Sequence, residues 1–239
     1  MEDDDLNTGC FDWLPRWKTA PLHTIADIHE LYQQLLPTKL YYHKKTRTNS
    51  NPDVQCRLCG NTKESVSHIL AGCSALAQKR YLARHNAALK ILYFEMLRDR
   101  GLLQTVPPWY SPAMPKPLYE NENATAMWDV PLYAENTEVG ANRIDPRIVD
   151  KNEEKVIVIE ISCPWLENRQ LKDLEKTQKY GPLRWELKRQ FQGYRVTQHN
   201  IIMDVLGGYS KDVGKTVETL AGAQPETFCT VIKHVLRVY

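Results

Sequence analysis

The chain has 239 residues, of which 42% are hydrophobic and 25% are charged, and its formal net charge is +2. The hydrophobic content is enough for a folded core and excludes a wholly disordered protein. A net charge this small is not enough to assign the chain to the nucleic-acid-binding proteins. That assignment has to rest on where the charges lie along the chain.

The N-terminal residues and the cysteines narrow the class of protein further. The first residues, MEDDDLNTG, are acidic and polar, so we expect no secretory signal peptide. No apolar run approaches the length of a membrane span. Outside the motif described below, Cys10, Cys163 and Cys229 are widely spaced and suggest no disulfide framework. This pattern predicts reduced thiols in the cytosol or the nucleus.

Residues 1–50 are expected to be a lead-in, poorly ordered up to residue 21 and helical after it. The segment HTIADIHELYQQLL has apolar residues at helical spacing, with Thr24 as its N-cap and Pro37 at its end. The segment 40–48 then mixes tyrosines with three candidate nucleic-acid-binding residues, Lys44, Lys45 and Arg47. Aromatic rings beside cations suit base stacking and phosphate contact. A solvated basic loop is the alternative.

A CCHC pattern lies at the start of the segment 51–101. Its spacing is C-x2-C-x8-H-x4-C, and its members are Cys56, Cys59, His68 and Cys73. Gly60 follows the second cysteine and suits a tight loop there. Three thiolates and one imidazole form a closed tetrahedral set that is typical of structural zinc. The alternative is a set of unrelated buried thiols and a histidine, but four ligand-type residues at this spacing favour zinc.

Residues 74–101 predict one long amphipathic helix that ends at Gly101. Its more polar faces carry candidate nucleic-acid-binding residues, which are phosphate contacts or simply a solvated surface: Arg80, Arg84 and His85. Residues 102–127 contain five prolines and little periodicity. They predict a linker, with a domain boundary near residue 115.

Residues 128–239 alternate between strand and helix patterns, so the chain as a whole is expected to be α+β. The predicted strands are 128–135, 142–150, 155–162 and 194–208, and the third has the strongest β pattern. Helices are predicted over 166–180, after Gly181-Pro182, and over 212–222 and 225–238.

One carboxylate lies inside the strongest strand pattern. Alternation places Val156, Val158 and Glu160 on one face of that strand and isoleucines on the other. A carboxylate in so apolar a strand must be paired, protonated or bound to a metal. Asp145, on the preceding predicted strand, meets Glu160 if the two strands are antiparallel neighbours. Hard oxygen ligands of this kind hold Mg²⁺.

The next predicted helix carries basic residues that share one face, with a tyrosine at its end. They are Lys172, Lys176, Lys179 and Tyr180. Two carboxylates for a metal and a lysine near them describe metal-assisted phosphodiester hydrolysis. The plainer alternatives are an Asp145 that caps a turn, a Glu160 paired with Arg143, and a solvated lysine face.

The order of these motifs resembles a known family. It runs from the CCHC motif through Arg84-His85-Asn86, Arg143-x-Asp145, Glu160-Ile-Ser-x-Pro-Trp and Lys176-x-x-Lys179-Tyr180. It is similar to the C-terminal region of Pol (reverse transcriptase) proteins of site-specific non-LTR retrotransposons that carry a restriction-enzyme-like endonuclease. The resemblance spans residues 25–210, and LLPTKLYYHKKT resembles the junction after the thumb of such reverse transcriptases.

The resemblance implies a fold and an activity. A helical zinc-knuckle region is expected to precede a mixed sheet flanked by helices, as in type II restriction enzymes. The endonuclease of that family nicks target DNA, and the exposed 3′ end primes reverse transcription. Asp145 then corresponds to the first metal-binding aspartate, Glu160 to the second carboxylate, and Lys176 or Lys179 to the catalytic lysine.

Cofactors, partners and location also follow from the resemblance. Zinc is implied as a structural cofactor, and Mg²⁺ as the catalytic cofactor of an active enzyme. The implied partners are a target DNA site, element RNA or both, held with the help of the knuckle and neighbouring basic helices. The implied location is the nucleus, with a share in the cytoplasm as an open alternative.

The chain departs from the family pattern in two places. The usual Arg-Pro-Asp is Arg143-Ile144-Asp145 with a proline after it, and Ser162 stands where many restriction folds have lysine. No reverse-transcriptase aspartate pair is evident, so we expect a fragment, a decayed copy or a domesticated gene product. Two alternatives to an active nuclease stay open: a catalytically inactive nucleic-acid-binding protein that keeps the knuckle, and a zinc domain that binds only protein.

Overall fold

The computed structural model describes residues 5–11, 21–46, 53–135, 140 and 143–221. The helices are α1 (Leu22–Tyr32), α2 (Lys39–Thr46), α3 (Ser74–Leu76), α4 (Leu82–Asp99), α5 (Arg169–Lys179), α6 (Gly181–Gln190) and α7 (Lys211–Ala221). The strands are β1 (Leu118–Glu120), β2 (Ala124–Trp128), β3 (Pro146–Asp150), β4 (Lys155–Ser162) and β5 (Arg195–Ile202). Two π-helical turns, His68–Gly72 and Ala77–Tyr81, flank α3.

The five strands form one mixed sheet in the order β1-β2-β3-β4-β5. Neighbours from β1 to β4 are antiparallel, whereas β5 is parallel to β4. A parallel pair needs a long crossover connection, and α5 and α6 supply it. The chain is therefore α+β, with a mixed five-stranded sheet flanked by helices.

Strand β4 lies inside the sheet and is buried on both faces. Its sequence, KVIVIEIS, is rich in β-branched residues, which suits a strand covered by helices on both sides. The isoleucines of β4 belong to a core shared with α4 and α7. Val156 and Val158 pack instead with Leu183 of α6. The predicted alternation is confirmed, and it places Glu160 on the same face as the two valines.

Residues 102–127 are more structured than a linker. They contain β1 and most of β2, which pair with each other and, through β2, with β3. Asn121 makes the turn between them, because its side-chain oxygen accepts the backbone N–H groups of Asn123 (2.9 Å) and Ala124 (2.7 Å). Sequence patterns do not reveal these strands, since both are short and β3, the second partner of β2, is more distant along the chain.

Other strand predictions have mixed outcomes. The strand predicted over 128–135 is wrong, because β2 ends at Trp128 and Pro131 forms only an isolated bridge with Arg143. Proline has no N–H to donate to a strand ladder. The strand predicted over 155–162 is confirmed as β4, whereas β3 and β5 are shorter than the predicted strands.

The helix predictions are confirmed for α1, α5, α6 and α7, and the long predicted helix appears as α3 and α4 with a π-helical turn between them. The predicted bounds of α1 are wrong, because its N-cap residue is Pro21 and not Thr24, and it ends at Tyr32 and not at Pro37. The helix predicted over 225–238 lies outside the described residues. Helix α4 shares its core with the sheet, so that core includes elements on both sides of the boundary predicted near residue 115. No helix in the described ranges is long and apolar enough to cross a membrane.

The N-terminal residues that the structure describes belong to the folded core. Residues 5–11 are not a loose lead-in, because Leu6 forms a bridge with Ser210 and Cys10 is buried. Burial is the main cause that raises the pKa of the Cys10 thiol to about 11. This thiol is therefore protonated and unreactive at neutral pH.

Asp204 holds the loop that follows β5. Its buried carboxylate pairs with Arg169 (2.7 Å) and accepts the backbone N–H groups of Leu206 (2.9 Å) and Gly208 (3.0 Å). Burial raises the pKa of Asp204, and these contacts oppose that effect. Tyr32 of α1 donates to the Leu206 carbonyl (2.8 Å), so α1 is joined to the same loop.

Gly208→Ala is expected to destabilise the fold by about 1–3 kcal/mol. A Cβ atom at this position would lie within 3.0 Å of Asp204 Oδ2 and Arg169 Nη1, so the buried ion pair would have to move. Urea unfolding followed by circular dichroism measures the change. Gly140→Ala is the matched control, because a Cβ atom there meets none of the described residues within 4 Å. Equal unfolding midpoints for both variants would contradict the prediction.

Candidate functional site

The structure brings the four residues of the CCHC motif together, and we call them the Cys/His group. The Sγ atoms of Cys56 and Cys73 are 3.9 Å apart, and the Cys59 Sγ is 3.3 Å from His68 Nε2. All four ligand atoms lie within 4.8 Å of one another. Ligand atoms around a tetrahedral zinc ion, with bonds of about 2.0–2.3 Å, are about 3.5–3.8 Å apart. The donor set therefore fits zinc.

Two local structures produce this spacing. The first two cysteines flank a tight loop in which Gly60 has a φ of +68° and donates its N–H to the Cys56 carbonyl (2.8 Å). The π-helical turn His68–Gly72 leads from the third ligand to the fourth. A π-helical turn closes on i→i+5 hydrogen bonds, so residues five apart return to the same side. This explains how His68 and Cys73 face one centre.

The Cys/His group is suited to a structural role. Burial raises the pKa of Cys73, whose exposed fraction is 0%. Hydrogen bonds, first that from the Asn61 backbone, lower the pKa of Cys59. A bound cation would stabilise both thiols as thiolates. All four positions of a tetrahedral ion would be filled by protein atoms, which leaves none for a substrate.

Glu64, inside the motif, joins the Cys/His group to α2. Its buried carboxylate accepts the backbone N–H of Arg57 (2.9 Å), the Arg57 guanidinium (2.6 Å) and the backbone N–H of Lys39 (3.0 Å). Burial opposes ionisation, but these donors outweigh it and lower the pKa of Glu64 to about 2. Nothing in the sequence indicates this structural role of Glu64, apart from its position between the second and third ligands.

Asp145 and Glu160 meet at one end of the sheet, where the antiparallel pair β3 and β4 brings them together. The Asp145 N–H donates to Glu160 Oε1 (3.4 Å), and Asp145 Oδ2 accepts the N–H of Ile161 (3.2 Å). Lys176 of α5 donates to Glu160 Oε2 (2.7 Å). Of the two candidate lysines, Lys176 is thus the one in contact with a carboxylate.

His85 joins these residues from α4. Its Nε2 lies 2.9 Å from Asp145 Oδ2, and its Nδ1 lies 3.0 Å from the side-chain oxygen of Asn86. The sequence predicts a nucleic-acid contact for His85 and does not indicate this pair, because 60 residues separate the two partners. Only the Arg84-His85-Asn86 signature marks the region. We call Asp145, Glu160, Lys176 and His85 the acidic cluster.

Burial and charge act on the acidic cluster together. Burial and then the Asp145 charge raise the pKa of Glu160, against the opposing effect of Lys176. Burial would lower the pKa of His85, but the hydrogen bond and charge of Asp145 outweigh it, so this pKa is raised. Burial and the two carboxylates raise the pKa of Tyr180, which keeps its hydroxyl group protonated at neutral pH.

Tyr180 and Lys179 lie beside the acidic cluster. The Lys179 ammonium donates to the Tyr180 hydroxyl group (3.2 Å) and lies 4.8 Å from the centre of its ring. The plainer alternative for Glu160, a pair with Arg143, does not occur. Arg143 pairs instead with Asp129 (2.6 Å).

The predicted nucleic-acid-binding residues differ in exposure. Arg84 is only 1% exposed and donates to the Leu70 carbonyl (3.0 Å), so a phosphate contact for it is wrong. Lys172 pairs with Glu175 on α5. The residues that lie exposed at the surface are Lys44, Lys45 and Arg80, and their contact with nucleic acid stays a prediction. Arg47 lies outside the described residues.

The two sites differ in what they offer a metal ion. Within the described ranges, the Cys/His group is the only set of three or more His, Cys, Asp or Glu side chains with ligand atoms this close together. The acidic cluster offers two carboxylates instead, with Lys176 and His85 against them. The chain matches none of the protein-family models, and none of the curated proteins, with which it was compared.

Proposed function

We propose that this chain is the endonuclease region of a retrotransposon-type Pol protein, which hydrolyses DNA with a bound Mg²⁺ ion and carries a structural zinc centre. The observation that carries the proposal is the meeting of Asp145, Glu160 and Lys176 at one end of β3 and β4. Paired carboxylates and an ammonium group are the residue types that metal-dependent phosphodiester hydrolysis needs. The order of the motifs supports DNA as the substrate and a restriction-endonuclease-like fold.

The donor chemistry of the acidic cluster suits Mg²⁺, which binds through one or two carboxylates together with substrate phosphate oxygens and water. When bound, the ion would supply Lewis acidity at the phosphate and lower the pKa of a water molecule. Lys176 orients Glu160, and its ammonium group can donate to the negative charge that develops on the phosphate. Asp145 is oriented by His85 and by the backbone of Ile161.

Other residues of the chain support the remaining parts of the proposal. The Cys/His group supports zinc as a second, structural cofactor. The exposed residues Lys44, Lys45 and Arg80 support target DNA or element RNA as the partner, and with it a nuclear location. Lys45 lies 5.4 Å from the centre of the Tyr41 ring, so a cation and an aromatic ring are adjacent on α2.

A second candidate function is a nucleic-acid-binding protein without nuclease activity. The observation that favours it is the pairing inside the acidic cluster, where Lys176 contacts one oxygen of Glu160 and His85 contacts one oxygen of Asp145. Ion pairs of this kind also occur as parts of structural networks. The two candidates differ in one observable property, hydrolysis of DNA.

A plasmid-nicking assay tests the proposal. The protein is expected to convert supercoiled plasmid to open circles with Mg²⁺ and not with EDTA. Asp145→Asn and Glu160→Gln are each expected to lower the rate by at least about a hundredfold, the usual scale for removing one group that stabilises a transition state. Gel electrophoresis measures the rate. Glu153→Gln, which changes an exposed glutamate in the β3–β4 turn, is the matched control and should nick at the wild-type rate.

Each other result of this assay has a definite meaning. Equal nicking by the wild type and both variants would reject the assigned residues. Plasmid binding that weakens steeply with salt, without nicking by any form, would support the second candidate instead. A protein that neither nicks nor binds plasmid would contradict both candidates.

A further inference from the structure

The Cys/His group and the acidic cluster are connected by one short stretch of chain. Tyr81 lies at the end of the π-helical turn before α4. Its hydroxyl group accepts the backbone N–H of Cys73 (2.8 Å) and donates to the backbone carbonyl of Ile69 (2.7 Å). Cys73 is itself a ligand-type residue, and Ile69 directly follows His68. One phenol therefore holds the backbone that carries two of the four ligands.

Arg84 makes a second contact one turn later. Its Nη1 donates to the Leu70 carbonyl (3.0 Å), in the same ligand-bearing segment. The guanidinium group lies 5.5 Å from the centre of the Tyr81 ring, and the side chain is 1% exposed. A buried charge with these fixed partners cannot move without breaking them. The first turn of α4 is thus attached firmly to the Cys/His group.

The next residue along α4 reaches the acidic cluster. His85 Nε2 lies 2.9 Å from Asp145 Oδ2. The stretch from Tyr81 to His85 is five residues long, and its first residue contacts the backbone that carries two ligands of the Cys/His group, whereas its last residue contacts the acidic cluster. Hydrogen-bonded helix is stiff, so a shift of the ligand-bearing segment has to move His85 or break the contacts of Tyr81.

We propose that Tyr81 is a positioning residue through which zinc in the Cys/His group sets the position of His85 against Asp145. The importance of this coupling for catalysis rests on the proposed function, because Asp145 is one of the proposed metal ligands there. The zinc centre then organises the acidic cluster in addition to any contact with nucleic acid. Coupling of this kind is reciprocal, so the contact between His85 and Asp145 strengthens zinc binding by the same factor.

NMR of protein with ¹⁵N-labelled histidine, at one fixed pH, tests the coupling without any nuclease assay. The ring signal of His68 reports zinc binding, and the ring signal of His85 reports the contact with Asp145. In zinc-saturated Tyr81→Phe, we expect His68 at its wild-type position and His85 displaced toward its position in Asp145→Asn. Tyr110→Phe, at a tyrosine that is 70% exposed, should leave both signals unchanged. An unchanged His85 signal in Tyr81→Phe would overturn the proposal.

Zinc affinity gives a second measurement that does not depend on Tyr81→Phe. Competition with a chromophoric chelator should show that His85→Gln raises the zinc dissociation constant about fivefold or more, the usual scale of coupling between sites. His29→Gln, at an exposed histidine of α1, should leave it unchanged. Equal dissociation constants for wild type and His85→Gln would refute the coupling. A protein that shows the coupling but nicks no plasmid refutes only the proposed function.

Discussion

Cys73→Ser is expected to remove zinc from the protein and to unfold the segment from residue 53 to Tyr81. Structural zinc binds small zinc domains with about 10–16 kcal/mol, and that free energy is part of their folding free energy. The segment has little regular structure of its own before α3, apart from the π-helical turn His68–Gly72 and an isolated bridge between Gln55 and Lys63. Elemental analysis measures the zinc per chain, and hydrogen exchange measures the protection of the segment.

Cys10→Ser is the control for this experiment. Cys10 is 2% exposed and lies outside the Cys/His group, so a serine there also places a hydroxyl group in a buried site. This variant is expected to lose stability but to keep one zinc ion per chain. Full zinc content in Cys73→Ser would show that the Cys/His group is not a metal centre. Loss of zinc without loss of protection would show that the metal does not hold the segment.

Lys176→Met is expected to destabilise the fold by about 3–5 kcal/mol at about pH 8, the usual cost of leaving one member of a buried ion pair alone. The Glu160 carboxylate is 0% exposed, and Lys176 is the cation that contacts it (2.7 Å). Methionine keeps most of the apolar stem and removes only the charge. Urea unfolding measures the loss. Lys188→Met, at an exposed position on α6, should change stability by less than about 0.5 kcal/mol.

The cost of Lys176→Met should depend on pH in one direction. Burial and the charge of Asp145 raise the pKa of Glu160, so the native state binds this proton more tightly than the unfolded chain does. Below about pH 4 the carboxyl group is protonated in both states and the cost is smallest. As pH rises from the ordinary pKa of glutamate through the raised pKa of Glu160 in the native state, the unfolded chain releases the proton first, so the folded state loses stability. Removal of Lys176 raises the native pKa further and widens this interval.

A double variant separates the charge effect from packing. Lys176→Met combined with Glu160→Gln leaves no unpaired charge, so most of the loss should be recovered. A loss in Lys176→Met that is the same at about pH 4 and about pH 8 would contradict the explanation by an unpaired carboxylate. So would a double variant that is as unstable as Lys176→Met alone.

Sequence patterns predict those parts of the fold that depend on residues close together in the chain. The alternation in KVIVIEIS predicts β4 with its two faces, because a central strand repeats every two residues. The spacing of the Cys/His group predicts that the four side chains converge, because its loop and turn are short. The pair of Asp145 and Glu160 follows from adjacent antiparallel strands.

Contacts between distant segments explain what the sequence does not indicate. His85 contacts Asp145 only because α4 packs against the sheet, and no spacing rule connects the two. Arginine is a residue type that often contacts phosphate, yet the packing of the same helix buries Arg84, which donates to the Leu70 carbonyl. Strands β1 and β2 are too short to produce a recognisable strand pattern in the sequence, and the many prolines around them are typical of a linker.

The core that α4 shares with the sheet limits where recombination can separate this protein into two parts during evolution. The isoleucines of β4 share this core with residues such as Leu89 and Met96, which precede the Pro-rich stretch in the sequence. A recombination event within residues 102–117 would exchange one half of this core without the other. The segment that carries the cysteines and the segment that carries the carboxylates are therefore expected to be inherited together, as one cassette.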